Sequence, residues 1–219
     1  RRGEKWKGSS MSVLDRLASA LDRRDEIPNQ LLAQEIAEAG DRAAVQELIE
    51  HLTDRDKAIR SDCIKVLYEV GERQPELIAD GVDAFIALLG SRDNRLVWGA
   101  MTALGAIAHL RGADIWRQID VIFAATEHGS VITQDWGVRV LAAVSAQDPA
   151  YERRIYPFLL AFLRDCRPKD LPRHAESVVA AVNSANRSDF LAILEARKGA
   201  LRPAQAKRVE QIIRKVTKA

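Results

Sequence analysis

Trp98, Asp135, Trp136 and Arg139 are the residues whose types and spacing could do chemistry in this chain. Two indole faces, a guanidinium and a carboxylate can stack on planar groups and pair with polar ones, which is the chemistry of recognition. The groupings that make or break bonds are missing: there is no glycine-rich phosphate loop, no GxSxG elbow, no HExxH and no CxxC. His51, His109, His128 and His174 are scattered, and none is followed by Glu. Cys63 and Cys166 are too few for a disulfide framework or a zinc site. The expectation is a chain without enzymatic activity, cofactor or bound metal.

Which elements would position that set is a question about periodicity. Starting from 44–52, a stride of 37 residues carries Val45 to Val82, Ile119 and Tyr156, and Leu48 to Phe85, Ile122 and Leu159. The same stride carries Ile49 to Ile86, Phe123 and Leu160, and Leu52 to Leu89, Thr126 and Leu163. A second set takes Cys63 to Ala100, Gly137 and His174, Leu67 to Leu104, Leu141 and Val178, and Val70 to Ile107, Val144 and Ala181. Offsets of 0, 3, 4 and 7, then 0, 4 and 7, each describe one stripe of a helix. Twenty-five of these 28 positions are apolar in a chain that is 47% apolar, so the stride is a repeat. The flanks follow at spacings of 31 and 34.

About six antiparallel helix pairs result: 12–22 with 27–39, 42–52 with 56–71, 75–90 with 94–109, 113–127 with 130–146, 150–165 with 170–184, and 188–200 with 203–217. Pro75, Pro168, Pro172 and Pro203 fall near helix starts, where a missing N–H costs nothing. Turns at 53–56 and 91–93 supply N-cap oxygens. A single pair cannot bury both its stripes, so stacking of neighbours must create the core. The fold class expected is all-α, an α-solenoid (α-α superhelix) in a right-handed stack. Residues 1–10 lack periodicity and read as a disordered or added tail ahead of a start at Met11, leaving 11–219 as one repeat domain. With 33 basic against 31 acidic residues, a net charge of +2 and ordinary apolar content, the chain is not of disordered type. The longest apolar run, around 84–89, is far short of the roughly 18 residues of a membrane span, and no secretory signal is visible. The expected location is cytoplasmic, with no membrane partner.

The segments DKAIRSDCIKVLYEVGE from Asp56 and DNRLVWGAMTALGAIAH from Asp93 resemble the second helices of HEAT-like (armadillo-type) repeats. Asp56 and Arg60 are similar to the acidic turn and basic residue that open such helices; Val97 and Thr133–Gln134 depart from that pattern. The resemblance implies a binding scaffold whose second helices line a concave face holding a protein or peptide.

At about 100° per residue, Ser61, Lys65 and Tyr68 point away from the apolar stripe. Stepping forward gives Trp98, Thr102 and Gly105, then Asp135, Arg139 and Ala142, then Pro172, Glu176 and Val179, with Trp136 and Arg173 on the border. The candidate partner-binding residues are therefore Arg60, Lys65, Trp98, Thr102, Asp135, Trp136, Arg139, Arg173 and Glu176. Packing between units is the expectation for Trp136 and exposure for Trp98; Gly99, Gly105 and Gly137 read as sites of close helix packing. Residues 1–110 carry a net −4 and 111–219 a net +6, so nucleic acid is a possible second partner through Lys207, Arg208, Arg214 and Lys215. The run Trp136-Gly137-Val138-Arg139 also resembles the Trp-x-x-Arg element of HEAT-like alkylpurine DNA glycosylases. Those enzymes carry an aspartate shortly after an earlier Trp; here Thr102 stands in that region, and Asp135 would have to substitute.

Overall fold

A computed structural model describes residues 12–218; the expectation for residues 1–10 lies outside them. Every regular element among the described residues is helical: α1 Ile27–Ala39, α2 Arg42–Glu50, α3 Lys57–Arg73, α4 Pro75–Ile78, α5 Val82–Leu88, α6 Asn94–Ile107, α7 Gly112–Arg117, α8 Ile119–His128, α9 Val131–Ser145, α10 Pro149–Asp165, α11 Leu171–Val178, α12 Arg187–Lys198 and α13 Pro203–Lys218. The starts are where the turn chemistry puts them. Asp56 accepts from the Ala58 amide at 2.7 Å, Asp93 from Arg95 at 3.0 Å and Ser130 from Thr133 at 3.3 Å. Each satisfies a donor that a helix start would leave orphaned. Pro75 and Pro203 open their helices, and Pro172 is in the first turn of α11.

Three expected helices differ. In 12–22 only a 3-10 turn, Val13–Arg16, forms. The donors that would continue it go elsewhere: the Ala18 amide donates to Asn29 Oδ1 at 2.9 Å and the Ser19 amide to Asp62 Oδ2 at 2.8 Å. The span 75–90 divides into α4 and α5 around a 3-10 turn, Ala79–Gly81. The span 113–127 divides into α7 and α8 at Gln118 (φ −122°, ψ 31°). That bend lets Ile115 as well as Ile119 and Ile122 reach the interior, all buried.

Two compact units divide at Gly81/Val82. In the first, α1 and α3 lie side by side with α2 and α4 against α3. In the second, α6, α9, α11 and α13 form a row of second helices, each packed on the next, while α5, α8, α10 and α12 pack against that row. Of the 28 column positions, Ile49 and Phe123 are half-buried and the rest are buried. Burying each large apolar side chain is worth about 1.5–3 kcal/mol, so the columns are the main source of stability. Two of the three non-apolar column residues answer each other. A Cβ on Gly137 would lie 2.1 Å from Thr126 Oγ1, and the Thr126 hydroxyl donates back to the Ile122 carbonyl at 2.7 Å. The missing side chain on α9 makes room for the threonine on α8.

Candidate functional site

The row of second helices in the second unit brings one aromatic-cationic group together. Trp136 on α9 lays its ring on Gly105 of α6, where a Cβ would stand 2.5 Å from Trp136 Cε3. Arg139, one turn along α9, holds its guanidinium 4.8 Å from the centre of the same indole, a cation–π distance. The indole is half-buried and Arg139 exposed, so Trp136 both packs between repeats and shows a stacked face. Trp98 on α6 is half-buried too, with the Arg95 guanidinium 5.9 Å from its ring. Thr102 is not part of this surface. It is 4% exposed, and its hydroxyl donates to the Trp98 carbonyl at 2.8 Å.

Asp135, Arg173 and their neighbours form a charged chain between α9 and α11. Arg173 reaches Asp135 at 3.0 Å and Asp170 at 3.2 Å, and Arg167 reaches Asp170 at 2.7 Å. His174 Nδ1 lies 3.6 Å from Asp135 Oδ1, and both atoms are buried without a hydrogen-bond partner. Burial raises the Asp135 carboxyl above the usual carboxylate range, with Arg173 opposing it. Burial, reinforced by Arg173, pushes His174 down to about 4, so the imidazole is neutral at pH 7. Its column position thus holds a neutral ring edge-on to Phe162, 5.2 Å between centroids. Glu176 is exposed and forms a two-bond ion pair with Arg208 of α13. Lys207, Arg214 and Lys215 on the same helix are exposed.

In the first unit the sequence projection fails at Lys65 and Tyr68, because α1 covers that side of α3. Lys65 is 6% exposed, with Glu26 at 3.0 Å and Glu69 at 2.8 Å. Despite its burial the two carboxylates raise its pKa, so it stays charged as an internal ion pair and does not face a partner. Arg60 is half-buried and donates to the carbonyls of Asp54 at 2.6 Å and Arg55 at 3.1 Å. It ties the α3 entry turn.

No family model matches the sequence, and neither does any curated protein. Solved structures do match. A designed armadillo repeat protein in complex with the peptide (KR)4 is similar with a TM-score of 0.62 and 15% identity over 85% of this chain and 86% of that one. Computationally designed armadillo repeat proteins for modular peptide recognition give 0.62 and 14% over 93% and 98%. An engineered protein of a structural genomics consortium gives 0.58 and 18% over 94% and 98%. The fold is that of HEAT/armadillo-type helical repeats.

Of the glycosylase-like elements, Trp136 and Arg139 stand together on α9. Position 102 offers a back-bonded threonine, and the Asp135 carboxylate is held by Arg173. A second aromatic feature lies outside the 37-residue stride. Trp116 of α7 stacks on Tyr151 of α10 at 4.4 Å, and Phe123 of α8 on Phe158 of α10 at 4.5 Å. All four are half-buried. The signal was a stride of 35, which relates 116 to 151 and 123 to 158. Adjacent first helices touch two residues out of step with the core register, so a search at 37 passes over it. No helix among the described residues is long and apolar enough to cross a membrane.

Proposed function

We propose that this chain is a non-enzymatic scaffold in which the second helices of the second unit hold a peptide segment of a protein partner, with Trp98, Trp136 and Arg139 as its anchors. The observation that carries this is the seating of Trp136 on Gly105 with Arg139 stacked above it. An indole fixed between Gly105 and Arg139 loses little conformational freedom when a ligand covers its exposed part, the property of an interface anchor. The second supporting fact is the company the fold keeps: designed relatives in shape made for modular peptide recognition, one of them bound to (KR)4. Arg173 lies at the edge of the same row and adds an exposed guanidinium tied to Asp135.

Peptides selected from a displayed library against the wild-type protein test this. Exchanging Trp98 and Arg139 together for alanine is expected to weaken the selected peptides by more than tenfold, since truncated anchors cost about 2 kcal/mol or more. Helicity by circular dichroism stays unchanged, because neither side chain belongs to the core columns. Undiminished binding, or selection of duplex DNA in place of peptides, contradicts the proposal.

A further inference from the structure

A cleft of about 620 Å³ opens in the second unit between the α8–α9 turn and the C-terminal half of α10. Phe158, Phe162 and Val131 line its walls, Glu127 and Asp165 stand among its lining residues, and His174 closes it. The two phenyl rings are stacked, 6.3 Å apart and 24° from parallel. Asp170 also lines the cleft, but its oxygens already accept from Arg167 and Arg173. Glu127 and Asp165 are exposed, as is Arg167 in the same lining; with Asp170 the lining carries three carboxylates against one guanidinium, so the opening is net negative.

His174 closes the inner end of the cleft. It is 2% exposed, lines the cleft, and its Nδ1 is buried with no hydrogen-bond partner. That nitrogen faces Asp135 Oδ1 on α9 at 3.6 Å, a residue outside the cleft's lining, so His174 serves the cleft as a neutral ring wall beside Phe162. The adjoining aromatic stripe shows what kind of group suits the cleft. Arg154 already holds its guanidinium 5.8 Å from the Phe123 ring and 5.9 Å from Trp116, and Phe123 stacks directly on Phe158.

We propose that this cleft is a second binding site, taking the guanidinium of an arginine side chain presented by a peptide, flat on Phe158 and Phe162 with its N–H groups on Glu127 and Asp165. A planar, weakly hydrated guanidinium stacks on aromatic faces and forks onto carboxylates in a way an ammonium does not. The site shares no residue with Trp98, Trp136 and Arg139, and it stands or falls apart from them.

Titration of the ¹⁵N-labelled protein with capped Gly-Arg-Gly, Gly-Lys-Gly and Gly-Glu-Gly peptides tests it. The arginine peptide shifts the amides of residues 129–134 and 165–170, binds several-fold more tightly than the lysine peptide, and outcompetes the glutamate peptide, which gives no shift. The double variant E127Q/D165N weakens the arginine peptide about tenfold, and Phe158→Ala weakens it independently through the stacking wall. Trp98→Ala with Arg139→Ala leaves this titration as in wild type, which separates the two sites. Preference for the glutamate peptide through Arg167, unchanged affinity in E127Q/D165N, or silence of those amides overturns the proposal.

Discussion

Gly137→Ala destabilises the second unit by about 1–3 kcal/mol, although alanine is the better helix former by about 1 kcal/mol. The added Cβ would lie 2.1 Å from Thr126 Oγ1 and 2.9 Å from Thr126 Cβ. Threonine is short and branched, and its hydroxyl is tied to the Ile122 carbonyl, so it cannot swing aside as a long side chain would. Relief must come from separating α8 and α9, which loosens the columns on both helices. Adding Thr126→Ala removes the obstruction, so the double variant recovers most of the loss, a non-additivity expected of touching residues. Urea unfolding followed by tryptophan fluorescence reads this, since Trp98, Trp116 and Trp136 all lie in the second unit. A Gly137→Ala protein as stable as wild type, or a double variant no better than the single, would mean the helices do not approach this closely.

The second large effect is on pH. His174 titrates at about 4 in the folded chain against an ordinary 6.5, chiefly because burial disfavours the charged ring, with Arg173 adding repulsion. Between those two values the unfolded chain binds a proton that the folded one refuses, so stability falls as pH drops through this window. The full loss is at most about 3 kcal/mol at 1.36 kcal/mol per unit. Asp135 faces the ring from α9 and works the other way, because its raised pKa lets the folded state take up a proton early. Asp170 draws His174 upward, while Arg167 and Arg173 push it down. Wild type should therefore lose urea resistance between pH 7 and pH 5, and His174→Gln should flatten that slope. Equal slopes in the two proteins would contradict a buried neutral imidazole.

Much of the fold could be read from the residues because burial acts on a fixed stride. Val45, Val82, Ile119 and Tyr156 repeat in type, and all four are buried. The helix starts were legible for a local reason: Asp56 and Asp93 bond amides two residues on. What the sequence hid depends on what lies alongside. A helical projection places Lys65 opposite the apolar stripe, but only the position of α1 and the carboxylate of Glu26 turn that side inward. Thr102 disappears for a similar reason, with its hydroxyl satisfied by its own helix. Packing between units is the expectation for Trp136, and its ring does pack on Gly105, while the indole stays half-buried under the Arg139 guanidinium. The contact between Asp135 and His174 joins residues 39 apart, one off the apolar stripe and one in a core column, and no one-dimensional pattern signals it. The helix expected over 12–22 fails because Asn29 and Asp62 compete for its amides, a contest invisible before the tertiary fold exists.

The indole N–H signals offer the most direct test of where a partner sits. On adding a library-selected peptide to ¹⁵N-labelled protein, the resonances of Trp98 and Trp136 should move together and saturate, with Trp116 unmoved on the first-helix side. Stationary Trp98 and Trp136 signals in the presence of a tightly bound peptide would show that the row of second helices is not the surface it uses.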